Sequence, residues 1–118
     1  MIQLHEIMIG SCFNQVHDNF EPCAPKPIFW NENNWYRIGE CIEFLEWFEP
    51  IPLTEKILME WCGAFSVKPN QYRISDRLIV VRDGKFVDYG SSVELPYLHI
   101  FQRFILVITN EPLKIELK

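Results

Sequence analysis

The pattern of apolar and polar positions in the first part of the chain predicts short strands joined by loops. Residues 6–16 combine a short apolar run with rough alternation, which is typical of a strand with Gly10 at a bulge or a close backbone contact. Residues 21–27 contain three prolines, which predict an extended loop because proline lacks an amide donor and prevents helix formation. Residues 28–30 then form a candidate short strand, and the asparagine-rich residues 31–34 a turn.

Residues 35–48 fit two interpretations. As a strand, Tyr36 and Ile42 share an apolar face that Glu40 interrupts. As a helix that begins at Gly39, the segment has an apolar stripe made of Cys41, Ile42, Leu45 and Phe48. The aromatic content and the prolines that follow favour the strand. Glutamates recur here at every third position, which matches neither the strand period nor the helix period: Glu40, Glu43, Glu46 and Glu49.

Residues 53–63 have the pattern of a complete short helix. Thr54 is placed to cap the free amides of the first turn, and Leu53 and Leu58 are spaced as a hydrophobic staple across it. Gly63 suits the left-handed position after the last turn.

The remaining sequence predicts three short strands, a second helix and a last strand. The three strands are residues 72–74, 78–81 and 85–89. Asp83 and Gly84 predict a two-residue hairpin turn, which requires positive φ angles. The second helix begins at Pro96 and ends at Asn110, and residues 113–117 alternate as a strand.

Length and composition indicate one folded domain. The chain has 118 residues, of which 48% are hydrophobic, so it holds enough apolar material for one core. Together with the local patterns, this predicts a small single α+β domain, residues 1–118. We expect an antiparallel sheet, open or partly barrel-like, with two short helices.

The charge balance is acidic, with 16 acidic and 11 basic side chains and a net charge of −5. This argues against a broad nucleic-acid-binding face, although a small basic patch stays compatible with it. The start of the chain lacks the basic and long apolar regions of a secretory signal, and no apolar run approaches the ~18 residues of a membrane span. We therefore expect a cytoplasmic protein that does not bind membranes.

No motif identifies a catalytic or metal site. The four cysteines contain no Cys-x-x-Cys pair, so free thiols are expected rather than zinc ligands. Phosphate-binding loops and hydrolase motifs are missing from the sequence. His99 and Gln102 are expected to fix helix packing through hydrogen bonds. We therefore expect no metal, no cofactor and no enzymatic activity; the alternative is an enzyme that uses His99 or His17.

Two stretches of the second half resemble a family of uncharacterised small proteins encoded by Bacteroidetes phages and mobile elements. The first is residues 50–58, Pro-Ile-Pro-Leu-Thr-Glu-Lys-Ile-Leu, followed by Cys-Gly-Ala-Phe, in which Ala64 is an insertion. The second is residues 97–104, similar to the family's Tyr-x-His-x-x-Gln helix, with Asn110 where the family has glycine. Residues 9–10 or 37–39 offer a weaker match to its Arg-Ile-Gly strand. The resemblance implies a fold and a phage origin, and no reaction.

The first half combines many aromatic residues with the regularly spaced glutamates. Most aromatic side chains are expected in the core and the glutamates on a solvated face, but exposed tryptophan and tyrosine also anchor protein interfaces. The candidate partner-binding residues are Trp30, Trp35, Tyr36, Glu40, Glu43, Glu46 and Trp47.

These observations favour a phage-derived interaction protein that binds a host protein without chemistry. Its most concrete form is a counter-defence inhibitor of the anti-CRISPR type, which occupies the basic nucleic-acid channel of a CRISPR nuclease or binds its guide complex. The alternative is an RNA-binding accessory module that uses the basic residues of the second half: Lys68, Arg73, Arg77, Arg82, Lys85 and Arg103.

Overall fold

The structure is a computed structural model that describes residues 2–18 and 21–118. The chain divides into two compact units, Met1–Ile51 and Pro52–Lys118, here named the N-terminal and C-terminal units. Each unit combines helical segments with one antiparallel sheet, which confirms the predicted α+β class. Both sheets are open across the described residues, so the partly barrel-like form is not adopted there. The single domain of residues 1–118 stays a prediction.

The N-terminal unit contains a three-stranded sheet with strand order β2-β1-β3. Its elements are a 3₁₀ turn Leu4–Glu6, β1 Cys12–Asp18, β2 Glu21–Phe29, helix α1 Glu32–Glu40, a 3₁₀ segment Ile42–Trp47 and β3 Phe48–Pro50. The predicted first strand therefore begins later than expected. Gly10 lies in the turn before β1 with a φ of +91°, a conformation that favours glycine.

The proline-rich segment is a strand, so its prediction as a loop was wrong. It forms the edge of the sheet as β2, with Pro22 opposite His17 and Pro27 opposite Asn14 in β1. Proline is tolerated on an edge strand because such a strand needs hydrogen bonds on one side only. The predicted strand at residues 28–30 is the end of this same element, except that Trp30 lies just beyond it.

The asparagine-rich segment begins a helix, so its prediction as a turn was also wrong. The N–H of Asn34 donates to Asn31 Oδ1 (3.1 Å), and the N–H of Asn31 donates to Asn34 Oδ1 (2.9 Å). This reciprocal pair satisfies two amides that the first turn of α1 would leave without partners.

The strand favoured for residues 35–48 was likewise wrong, because the segment is helical up to β3. Helix α1 is followed, after the single extended residue Cys41, by the 3₁₀ segment, which has three residues per turn. The three-residue spacing of Glu43 and Glu46 therefore matches the period of this segment, so the two side chains lie one turn apart on it. Phe44 and Leu45 are buried on its other side.

The core of the N-terminal unit is built from aromatic rings that meet edge to face. The ring of Trp30 contacts those of Phe13, Trp35 and Phe48 at centroid distances of 5.8, 5.6 and 5.1 Å. Phe44 and Phe48 form a further such pair at 5.1 Å. This geometry suits aromatic quadrupoles, so the cluster stabilises the unit beyond its buried area.

The C-terminal unit contains a four-stranded antiparallel sheet with strand order β4-β5-β6-β7. Its elements are a short helix Ile57–Trp61, β4 Phe65–Lys68, β5 Gln71–Ile74, β6 Arg77–Arg82, β7 Lys85–Asp88 and helix α2 Leu98–Thr109. The three predicted strands and the hairpin are confirmed, with φ angles of +52° at Asp83 and +75° at Gly84. The predicted strand at residues 113–117 was wrong, because that segment has no regular structure.

The two helices of this unit follow their predicted end signals. The N–H of Ile57 donates to Thr54 Oγ1 (3.2 Å), and Gly63 has the expected left-handed φ of +78°. The helix is wider than expected, since the N–H of Cys62 reaches the carbonyl five residues back. Helix α2 begins at Leu98, two residues after Pro96, and ends at Thr109, followed by Asn110 with a left-handed φ of +59°.

One face of the sheet is buried and carries part of the core of the C-terminal unit. Tyr72, Ile79 and Asp88 lie side by side on it across β5, β6 and β7. Arg77 on the same face lies over the ring of Phe104 (5.9 Å), which places α2 on this side. Ile74, Val80 and Val87 of the strands are buried as well. Further large buried side chains of the unit come from its helices and connections: Leu53, Ile57, Leu58, Leu95, Leu98, Phe101 and Ile105.

Candidate functional site

An exposed surface of mixed acidic and apolar character runs along the helical part of the N-terminal unit. We name it the acidic helical surface, and its members are Glu32, Tyr36, Glu40, Ile42, Glu43 and Glu46. Tyr36 is 75% exposed and lies between Glu32 and Glu40, four residues away on either side along α1. Residues four apart are neighbours on a helix surface, so the phenol ring is flanked by two carboxylates.

The 3₁₀ segment that follows α1 adds further exposed acidic and apolar residues. Glu43 and Glu46 are both exposed and lie one turn apart, while Ile42 is 58% exposed beside them. The buried Phe44 and Leu45 anchor the segment on the aromatic core. The glutamates are thus held on a packed backbone.

Charge is unevenly distributed between the two units. The N-terminal unit has eight acidic and two basic side chains, a net charge of −6, whereas the C-terminal unit has eight acidic and nine basic side chains, a net charge of +1. Of the two N-terminal cations, Arg37 lies over the ring of Phe44 at 5.3 Å. The acidic helical surface therefore carries half of the carboxylates of the N-terminal unit, in which only two basic side chains offset them.

The structure brings most of the predicted partner-binding residues to this region, but it removes one of them. Trp30 is only 1% exposed at the centre of the aromatic core, so it cannot contact a partner and is corrected to a core residue. Trp35 and Trp47 are half-buried and pack against the same core. The other four predicted residues are exposed: Tyr36, Glu40, Glu43 and Glu46.

Two members of the surface were missed by the sequence reasoning. Glu32 was placed in a predicted turn, and Ile42 was placed on an apolar face. The signal for Glu32 is the Asn31–Asn34 capping pair, which starts a helix one residue before it. Ile42 has no comparable local signal, because its exposure depends on how the 3₁₀ segment packs.

Two of the three histidine side chains lie against aromatic rings. His99 is fully buried and stacks on Tyr97 with a centroid distance of 5.8 Å, which suits a role in packing. His17 lies against Trp47 at 6.4 Å. Among residues 2–18 and 21–118, no three potential metal ligands cluster together.

A cleft of about 460 Å³ opens in the C-terminal unit between the β5–β6 turn, α2 and the last residues. Its lining includes Cys62, Ser75, Asp76, Thr109 and Lys114. Burial raises the pKa of the Cys62 thiol to about 12, so this thiol is not a nucleophile at neutral pH.

The strongest polar cluster, around Asp88, has a structural role. The buried carboxylate accepts hydrogen bonds from Arg77 Nε (3.1 Å), from the second guanidinium nitrogen of Arg77, and from both the N–H (2.9 Å) and hydroxyl (2.7 Å) of Ser91. Burial alone would raise the pKa of Asp88, but the hydrogen bonds from Arg77 and Ser91 outweigh it and hold the pKa below its ordinary value. The cluster fixes the turn after β7.

Comparison with known proteins assigns neither a family nor a function to the chain. No family model, curated protein or solved structure matches the chain. The resemblance to phage proteins therefore stays a prediction. Within the described part of the chain, no helix is both long enough and apolar enough to cross a bilayer.

Proposed function

We propose that the protein is a non-enzymatic interaction protein that binds a basic surface of a partner protein through the acidic helical surface. The observation that carries this proposal is the exposure of Tyr36 and Ile42 among four exposed glutamates on a packed helical backbone. Such a surface offers both long-range attraction and apolar anchors.

The charges and the apolar side chains have separate roles in this proposal. Glu43 and Glu46 lie within one 3₁₀ turn, closer than the screening length of about 8 Å at physiological salt, so they attract a cationic partner together. Tyr36 supplies a large amphipathic side chain of the kind that dominates interface energies. Binding should therefore be fast and salt-dependent, with its affinity dependent on Tyr36.

The partner class that suits this surface is a protein with a basic groove, and nucleic-acid-processing enzymes carry such grooves. With the resemblance to phage proteins, this supports a counter-defence inhibitor that acts in the host cytoplasm on a CRISPR nuclease or its guide complex. The acidic helical surface would then compete with nucleic acid for the basic channel, as a charge mimic.

The test is a cleavage and binding assay with purified CRISPR nucleases of Bacteroidetes, loaded with guide RNA. The double variant Glu43→Lys/Glu46→Lys should weaken binding and inhibition at least about tenfold, since each reversal replaces an attraction by a repulsion. The control is Glu60→Lys/Glu116→Lys, which makes the same change in net charge on exposed residues of the C-terminal unit.

Equal loss in both double variants would show that net charge alone matters and would contradict a specific surface. Tyr36→Ala gives a second measurement, because it removes the apolar anchor without changing the charge. Unchanged inhibition in the Glu43/Glu46 and Tyr36 variants, or no inhibition by the wild-type protein, would refute the proposal.

A further inference from the structure

The face of the four-stranded sheet opposite to Tyr72, Ile79 and Asp88 gathers exposed cations and aromatic rings from positions far apart in sequence. Phe65 of β4 pairs with Arg73 of β5, and Arg73 pairs with Leu78 of β6. The N–H of Tyr89 donates to the carbonyl of Leu78 (2.9 Å), which places Tyr89 next in the same row. Because paired residues point to the same side, these four side chains share the face opposite to Tyr72, Ile79 and Asp88. Val80 and Val87 lie on the same face and are buried, so the exposed members surround a covered centre.

The same register assigns three further cations to this face. Lys68 pairs with Gln71, which lies two residues from Arg73 on β5. Arg82 lies four residues from Leu78 on β6 and pairs with Lys85. We name this the outer sheet face, with the members Phe65, Lys68, Arg73, Arg82, Lys85 and Tyr89, all of them exposed.

The two aromatic rings stand at opposite sides of the outer sheet face. Phe65 is 63% exposed and Tyr89 is 60% exposed, values that leave both rings open to contact. They are three inter-strand spacings apart, about 14 Å, with Arg73 between them. Arg82 lies over the Tyr89 ring at 5.7 Å, so a cation and a π surface are already combined there.

The other charges near this face leave a positive balance. Glu94 lies 3.6 Å from Lys85 and offsets part of that charge. Arg77 belongs to the opposite face, where it binds Asp88. Asp83, exposed in the turn between Arg82 and Lys85, is a second carboxylate at its rim. The face thus keeps four cations against two carboxylates.

We propose that the outer sheet face binds single-stranded nucleic acid, with phosphates on the four cations and unstacked bases on Phe65 and Tyr89. Charge complementarity identifies a polyanion, and the exposed rings select one whose bases are free to stack. A duplex keeps its bases stacked inside, and a sheet face is too broad to enter its grooves. This inference is independent of the proposed function, because it uses different residues in the other unit.

The first experiment measures affinity by fluorescence anisotropy at several salt concentrations. The probes are a labelled oligouridine RNA of about 10 nucleotides, an oligothymidine of the same length and a blunt duplex. We expect both single strands to bind better than the duplex. The logarithm of the affinity should fall with the logarithm of the salt concentration with a slope of about −3, because four phosphates are neutralised on a single strand.

The second experiment uses matched variants. Arg73→Glu/Arg82→Glu should weaken binding by at least about tenfold, whereas Lys56→Glu/Lys118→Glu, with the same change in net charge on exposed residues away from this face, should weaken it far less. Phe65→Ala and Tyr89→Ala should each weaken binding by about fivefold or more, and Tyr89→Phe should retain it, since stacking needs the ring alone.

Several outcomes would overturn this inference. They are equal affinity for the duplex, equal effects of the two charge-reversal pairs, unchanged binding in both alanine variants, or no binding of any probe at low salt. An acidic protein that binds the face while the oligonucleotides do not would count against it in the same way. Glu43→Lys/Glu46→Lys should still bind the oligonucleotides, so failure of this inference and failure of the proposed function are distinguishable.

Discussion

Replacing Asp88 by asparagine tests the strongest polar cluster in the protein. The carboxylate of Asp88 is fully buried and accepts four hydrogen bonds, two from Arg77 and two from Ser91. Asparagine has nearly the same shape but only one acceptor oxygen, and its NH₂ group would face donors. The substitution therefore leaves donors unsatisfied and removes the counter-charge of Arg77.

The expected cost is about 3 kcal/mol of unfolding free energy. Breaking a buried ion pair by removing one partner costs about 3–5 kcal/mol. The lower end applies because the Arg77 side chain is 29% exposed, so water can solvate its charge. Urea denaturation at pH 7 measures the difference, and Glu94→Gln is the control, since it removes an exposed carboxylate and should change stability by less than about 0.5 kcal/mol.

The pH dependence gives this prediction a second, independent measurement. The pKa of Asp88 is held below its ordinary value of 3.8 in the folded protein, so the unfolded chain binds its proton first as the pH falls. The stabilisation by the carboxylate is fully present above the unfolded pKa and is lost as the pH falls through the folded pKa. The advantage of the wild-type protein over Asp88→Asn should therefore be constant from pH 7 to about pH 5 and shrink below about pH 4. A cost under about 1 kcal/mol, or an advantage that does not change with pH, would refute the reasoning.

Two further predictions test burial. Trp30→Ala should lower the free energy of unfolding, measured by urea denaturation, by about 3–5 kcal/mol, because it leaves a cavity in the aromatic core. The control Tyr36→Ala, at an exposed position, should change it by less than about 0.5 kcal/mol. Similar changes in the two variants would contradict the placement of Trp30. At pH 7.5, iodoacetamide should modify the exposed Cys41 well before Cys62, because burial raises the pKa of the Cys62 thiol to about 12. Mass spectrometry of proteolytic fragments measures the two modification rates. Equal rates at the two thiols would contradict the burial of Cys62.

The sequence predicted the C-terminal unit well because its signals are local. Thr54, Gly63 and Asn110 mark helix ends, and the Asp83–Gly84 pair marks a hairpin, through conformations that few other residues adopt readily. Each of these signals acts within a few residues of the feature it predicts. The strand at 113–117 failed because alternation alone does not supply a neighbouring strand to pair with.

The N-terminal unit was predicted poorly because its decisive features depend on context. Prolines are compatible with a strand only at a sheet edge, and strand order cannot be read from the proline positions. The aromatic residues of 35–48 favoured a strand by propensity, yet packing on the core of the unit selected helix. The three-residue spacing of Glu43 and Glu46 matches the period of a 3₁₀ helix. The prediction for this segment considered only the periods of a strand and an α-helix, so it missed this signal.

The candidate surfaces show the same division between local and long-range information. The exposure of the glutamates followed from their charge, but the burial of Trp30 depended on contacts with strands and helices elsewhere in its unit. The basic residues of the second half were visible in the sequence. The sequence alone did not show which side of the sheet each of them faces. The strand register shows that Arg73 and Arg82 lie on the outer sheet face and that Arg77 lies on the opposite face with Asp88.

The prolines of β2 also have a consequence for how the protein behaves at high concentration. An open sheet edge is a template on which a second chain can add a strand, the first step of many aggregation reactions. Three of the nine residues of β2 have no N–H to offer, so the edge cannot form a continuous hydrogen-bond ladder with an incoming strand. The residues that make β2 resemble a loop in the sequence thus protect the N-terminal unit against intermolecular strand pairing.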